Sequence, residues 1–173
     1  MKIIQKEYSL DRTFIDFPDD CSDAVIVFLN GCNHNCSDCH NLDFKKFIPF
    51  ESYIVLEDIL FLANKHPKTD KIVLSGGDPL HPEHIKETEE LIRKLKEIGF
   101  KICIYTGYEK DFVQLNLTKK VDFIKCGVYI NSRKQQSGKD NEKMVLASDN
   151  QNFYDGDFNK ISENGILYWQ KTT

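Results

Sequence analysis

The sequence has no surplus of basic residues. Its 23 lysines and arginines stand against 27 aspartates and glutamates, a formal charge of -4. Nucleic acid or an anionic lipid surface is therefore not expected as the main partner. Long apolar runs are missing too: no stretch of 18 residues free of charge could span a bilayer, and the opening Met1-Lys2-Ile3-Ile4-Gln5-Lys6-Glu7 lacks the apolar core of a secretory leader. A cytoplasmic protein is expected. There is no internal repeat and no break in composition that would mark a second domain. With 173 residues, 40% hydrophobic and 29% charged, residues 1–173 are expected to form one domain around one core.

Cysteine is present in an informative pattern. Six cysteines in a leaderless chain do not suit a disulfide framework in a reducing compartment. Cys103 sits in the apolar run Ile102-Cys103-Ile104-Tyr105, where a thiol packs as a small hydrophobe, and Cys21 and Cys126 are scattered. Cys32, Cys36 and Cys39 are crowded together instead.

The elements alternate. Ala24-Val25-Ile26-Val27-Phe28-Leu29 reads as a strand covered on both faces, ending at Asn30-Gly31. Leu56, Ile59, Leu60 and Ala63 recur at helical spacing up to Pro67, and Lys71 to Ser75 is a short buried strand. From Pro82 and Glu83 to Gly99, Ile85, Leu91, Ile92, Leu95 and Ile98 fall on one face of a helix. A strand at Lys101–Thr106, a helical piece at Tyr108–Asn116 and a strand at Val121–Cys126 continue the alternation, which implies parallel βα units. Ser132 to Lys143 is polar and reads as a mobile loop. Asn164-Gly165, between Lys160-Ile161-Ser162 and Ile166-Leu167-Tyr168-Trp169, signals a hairpin and an antiparallel tail. Four or so repeats are too few for a closed eight-fold barrel. The expected fold is α/β, an open, curved sheet whose strand C-termini face one cleft, with a short antiparallel tail.

The spacing C-x3-C-x2-C in Cys32-Asn33-His34-Asn35-Cys36-Ser37-Asp38-Cys39 places three thiolates in one polar loop after a strand. Thiolates are the usual ligands of iron-sulfur clusters. A 4Fe-4S cubane held by three cysteines keeps one iron free of protein, and that iron can be chelated by the amino and carboxylate groups of a methionine moiety. The competing reading is structural zinc, which needs a fourth ligand from His34, His40 or Cys21. Three unrelated buried cysteines fit poorly, because the residues between them are polar.

The second motif is Ser75-Gly76-Gly77-Asp78-Pro79-Leu80, at the end of a strand. Two glycines allow a close backbone approach. By itself the segment also reads as a strand-to-helix turn capped by Asp78. Together the loop and this motif resemble the radical S-adenosylmethionine superfamily. With Gly76-Gly77-Asp78-Pro79-Leu80-His81-Pro82, Tyr105-Thr106-Gly107-Tyr108, Gly127-x-Tyr129 and Ser148-Asp149-Asn150-Gln151, the chain is similar to the activating proteins of anaerobic, class III ribonucleotide reductase.

That resemblance implies a partial or full βα barrel and two cofactors, a 4Fe-4S cluster and S-adenosyl-L-methionine. It also implies a protein substrate, the large subunit of anaerobic ribonucleotide reductase, one glycine of which becomes a radical, and an unidentified one-electron donor. It makes Cys32, Cys36 and Cys39 the cluster ligands and catalytic residues. Asp38 and His40 match positions bordering the adenine, and Gly76, Gly77 and Asp78 match the site of the methionine amino group. Thr106 and Lys125 end later strands on the same rim and are further cofactor candidates, with a solvated or salt-bridged Lys125 as the alternative. The chain departs from the pattern at Phe17-Pro18-Asp19-Asp20-Cys21-Ser22-Asp23, where relatives commonly have Gly-Pro-Gly, and at Cys126, where many have Asp. Two rivals remain: another small radical enzyme, and a non-enzymatic metal-binding module. Of the aromatics, most are expected in the core; Asp43 to Tyr53 is a candidate docking stretch through Phe47 and Phe50.

Overall fold

The computed structural model describes residues 2–20 and 23–170. Two strands open the chain, β1 (Ile3–Ile4) and β2 (Tyr8–Thr13), followed by β3 (Ala24–Leu29). Then come α1 (Ser52–Asn64), β4 (Lys71–Gly76), α2 (Ile85–Ile98), β5 (Lys101–Tyr105), α3 (Lys110–Asn116) and β6 (Phe123–Cys126). The remainder holds β7 (Gly138–Lys139), β8 (Lys143–Val145), β9 (Asn152–Asp155) and β10 (Ile166–Tyr168).

This is a mixed α/β arrangement. The main sheet runs β1-β2-β3-β4-β5-β6-β9, and β10-β8-β7 form a second, antiparallel sheet. Strands β3 to β6 are mutually parallel, in the register Val25↔Ile72, Ile72↔Ile102 and Ile104↔Ile124. β2 and β9 flank them antiparallel.

The apolar runs have a direct cause in the packing. Because successive side chains of a strand point to opposite faces, Val25, Val27, Leu29, Ile72, Leu74, Ile102 and Ile104 meet Val55, Ile59 and Leu62 of α1 and Leu91, Ile92 and Leu95 of α2. Ala24, Ile26, Val73 and Cys103 face the other way, onto Phe17, Met144, Leu146, Phe153 and Leu167. Strands buried on both faces have no place for alternating polar residues. Each fully buried Leu or Ile of α2 contributes roughly 1.5–3 kcal/mol by its removal from water.

Three expectations are corrected. The polar stretch from Ser132 to Lys143 is not all loop: Lys139 tucks its Nζ against the Phe17 carbonyl at 2.7 Å and near Asp19 at 3.5 Å, and β7 pairs with β8. Its polar residues serve as cross-links, which composition does not reveal. Asn164 and Gly165 do make the tight turn, both with positive φ (51° and 72°), and Glu163 and Ile166 bridge across it. However, β10 pairs with β8, and Lys160 bridges to Tyr154 instead. Finally, Phe50 is buried against His84, and Phe47 stacks on His81 with ring centroids 5.3 Å apart. Phe50 thus anchors the loop after the cysteines from within, while Phe47 is only half-buried.

Candidate cofactor site

Past Leu29 the chain leaves the sheet through Gly31, and its backbone is pinned from two sides. The Gly31 and Cys32 N–H groups donate to the carbonyls of Phe44 (2.7 Å) and Lys45 (3.0 Å), and the Gly31 carbonyl accepts from Asp78 N–H at 2.7 Å. Cys32, Cys36 and Cys39 are half-buried free thiols, and all three line one cavity of about 340 Å³. That volume lies in the usual range for small-molecule pockets, about 300–1,000 Å³. Burial pushes the Cys32 thiol pKa up, and the His34 backbone N–H aimed at its sulfur pulls the other way. The Asn41 N–H reaches the Cys39 sulfur at 3.4 Å.

Among the described residues no three His, Cys, Asp or Glu side chains close on one point as a single metal ion would require. A cubane makes no such demand, since it spreads three thiolates over three irons. Of the fourth ligands a zinc site could use, His34 is committed to Asp78 at 2.6 Å and His40 packs on Tyr129 with centroids 4.7 Å apart. Cys21 lies outside the described residues. The three thiols and the cavity beside them therefore fit a cluster with an open iron better than closed zinc.

The cavity gathers distant segments. Its walls include Gly76, Gly77, Thr106, Lys125 and His40, as the sequence reading expects. Gly76 and Gly77 have a further reason to lack side chains: a Cβ at Gly76 (φ 110°) would lie 2.4 Å from the Leu29 nitrogen, and one at Gly77 would lie 2.3 Å from the Gly31 carbonyl oxygen. The close approach is first of all one strand end against another.

Asp38 and Asp78 do not line the cavity. Asp38 is exposed, in a turn with φ 54°. Asp78 is completely buried behind the wall, and its carboxylate accepts from Leu80 N–H, Gly107 N–H and the Thr106 hydroxyl, each at 2.9 Å, besides His34. The hydroxyl proton of Thr106 is thus already spent. Lys125 is neither solvated nor salt-bridged among the described residues. It is buried against the cavity, with Nζ 3.3 Å from the Gly127 carbonyl and 5.4 Å from the Tyr105 ring centroid. Burial pushes its pKa down, against the pull of Asp78.

Sequence reasoning misses other walls. Ile15 and Asp16 line the cavity from just ahead of the stretch that lacks Gly-Pro-Gly, and Tyr105 Oη donates to the Asp16 carbonyl at 2.7 Å. Met144 to Ala147 and Gln151 close another side. Gln151 Nε2 donates to the Gly127 carbonyl at 3.1 Å, and Asn150 Nδ2 to the Val128 carbonyl at 2.8 Å. The late Asn-Gln pair therefore holds the Gly127–Tyr129 turn. Cys126 is buried away from the cavity, its thiol pKa pushed up to about 12 by burial.

A sheet whose strand end carries three unpaired thiols beside a small-molecule cavity defines a cluster-binding protein. The chain accordingly matches, over residues 23–154, the family described as a 4Fe-4S single cluster domain. It is 30% identical over 130 residues to the anaerobic ribonucleoside-triphosphate reductase-activating protein of Escherichia coli K12, covering 72% of this chain and 83% of that protein. The protein of the same name from enterobacteria phage T4 is 29% identical over 148 residues, covering 80% and 94%. A Methanocaldococcus jannaschii protein that carries the name of a glycyl-radical enzyme activating enzyme is 33% identical over 125 residues, covering 69% of this chain and 48% of that protein. The chain belongs to the family of anaerobic ribonucleoside-triphosphate reductase-activating proteins. It is an enzyme of the radical S-adenosylmethionine type, with a 4Fe-4S cluster and S-adenosylmethionine as cofactors. No helix among the described residues is long and apolar enough to cross a membrane.

Proposed function

We propose that this chain, acting as one radical S-adenosylmethionine domain with an open, partial βα barrel, installs a glycyl radical in the large subunit of an anaerobic ribonucleotide reductase. The observation that carries the reading is the convergence of Cys32, Cys36 and Cys39 with Gly76 and Gly77 on one cavity. When bound, a cluster reduced by an external one-electron donor would pass that electron to S-adenosylmethionine, giving methionine and a 5'-deoxyadenosyl radical that would take a hydrogen atom from the glycine and leave as 5'-deoxyadenosine.

The protein's residues provide place and shelter. Cys32, Cys36 and Cys39 would hold the cluster, and three thiolates for four irons would leave one iron without a protein ligand. Gly76 and Gly77 would bring the main chain beside the methionine amino group, the Gly77 N–H itself being bound to the Leu29 carbonyl at 2.8 Å, and Lys125 offers the only ammonium among the described residues lining the cavity. His40 and Tyr129 form an aromatic wall suited to a nucleobase. Phe28, Met144 and Leu146 supply apolar wall that limits water around a reactive intermediate.

The test is anaerobic. Reconstituted and reduced protein given S-adenosylmethionine should form 5'-deoxyadenosine, and Cys36→Ala should not. Adding the reductase should give a glycyl radical signal in electron paramagnetic resonance. Deoxyadenosine without that signal would move the reading to a different radical substrate, and a colourless protein holding one zinc would overturn it.

A further inference from the structure

His34 stands between two of the three cysteines and lines the same cavity, yet its ring nitrogen is engaged elsewhere. Its Nε2 lies 2.6 Å from Asp78 Oδ2, a residue 44 positions later in the chain. Asp78 has no exposed surface and holds Leu80, Thr106 and Gly107 with the same carboxylate. The imidazole is boxed in. A Cβ at Gly107 would lie 2.6 Å from its Cδ2, and the Tyr108 ring meets it edge-on with centroids 4.5 Å apart. Lys45 Nζ donates to the His34 carbonyl at 2.7 Å, and Tyr108 Oη donates to Asn33 Oδ1 at 3.0 Å.

We infer that His34 is a positioning residue: hydrogen-bonded to Asp78, it fastens the Cys32–Cys36 arm of the cysteine loop to the Gly76–Asp78 turn and ligates nothing itself. The inference rests on the proposed cluster. Asn33, Asn35, Ser37 and Asp38 are exposed, so this loop has little apolar surface of its own to order it. Ordering its residues costs backbone entropy, and a fixed tie offsets that cost before any iron arrives. Asp78 is thereby assigned an indirect part. Its oxygens are filled by four protein partners, so it reaches the cofactor through His34 and the Thr106–Gly107 turn.

The chain of residues 1–173 is reconstituted anaerobically, and iron release to a chelator is timed without S-adenosylmethionine. The spectrum of the reduced cluster is recorded alongside, and thermal melts of the iron-free variants control for folding. His34→Ala and Asp78→Asn should each speed release about 10–100-fold, the usual penalty for losing a partner that orients a metal ligand. The double variant should be no faster than the quicker single one, because both remove the same tie. Gly107→Ala, whose added Cβ displaces the ring while keeping the backbone N–H that Asp78 accepts and touching no cysteine, should match His34→Ala, and His34→Gln should recover part of the loss.

Wild-type release from His34→Ala, or additive effects in the double variant, would overturn the inference. Where His34→Ala also melts early, Gly107→Ala decides, and wild-type release there overturns it. A wild-type chain that builds no cluster would sink the proposed function instead, an outcome recognisable before any variant is made.

Discussion

At the scale of single residues, similar backbone angles have different consequences according to their surroundings. Gly76 and Gly99 have φ of 110° and 106°, but a Cβ at Gly76 meets the Leu29 backbone while one at Gly99 meets nothing within 4 Å. Gly99→Ala should cost about 1–2 kcal/mol, the left-handed penalty alone. Gly76→Ala should cost several kcal/mol more, since the backbone it strikes cannot swing aside. Urea unfolding of the two iron-free variants checks the difference. The thiols divide in the same way. In iron-free protein at pH 8, a small alkylating reagent should modify Cys32, Cys36 and Cys39 and spare Cys103 and Cys126, as mass mapping would show. Burial raises the Cys126 pKa to about 12 from an ordinary 9.0. Its contribution to stability is therefore complete below pH 9 and is lost as pH rises toward 12, because only the unfolded chain releases that proton readily. The cysteine loop was legible because thiol spacing is a local signal. The tie from His34 to Asp78 was not, since a pair 44 residues apart leaves no pattern in any window.

Among elements, the legible ones were those that bury a continuous surface. β3, β4 and β5 are apolar because both their faces are covered, and α2 shows its stripe because only one is. β2 escaped notice: in Tyr8-Ser9-Leu10-Asp11-Arg12-Thr13, Tyr8 and Leu10 join the core while Arg12 pairs with Asp23 at 2.6 Å. β7, β8 and β10 are two or three residues long, too short for any period to appear. The segment from Asp43 to Tyr53 looked like a docking surface because aromatic composition does not say which way a ring faces. With Phe50 buried, Phe50→Ala should destabilise the fold by roughly 3–5 kcal/mol. Deoxyadenosine formation and glycyl radical formation should then fall together at temperatures near the lowered melting point. A loss confined to the glycyl radical would restore the docking role.

For the whole molecule, the cavity depends on parts that share no local sequence signal. Its walls come from the chain ahead of β3, from the loops after β3, β4, β5 and β6, and from the tail sheet. Leu167 shows how far the tail is integrated: it lies in β10, far along the chain from the cysteines, yet packs with Ile26, Val73 and Cys103 in the cluster whose Ile26, Met144 and Leu146 line the cavity. Leu167→Ala should cost about 2–5 kcal/mol in a thermal melt of the iron-free protein. The strand order has a consequence for how the molecule is made. From β1 to β6 each strand lies beside the one before it, so every new strand leaving the ribosome finds its partner already in place. Only β9 and the tail sheet must wait, and they carry the last wall. A nascent chain thus has most of its sheet before it has a pocket, and the pocket is walled in only once β7 to β10 have followed.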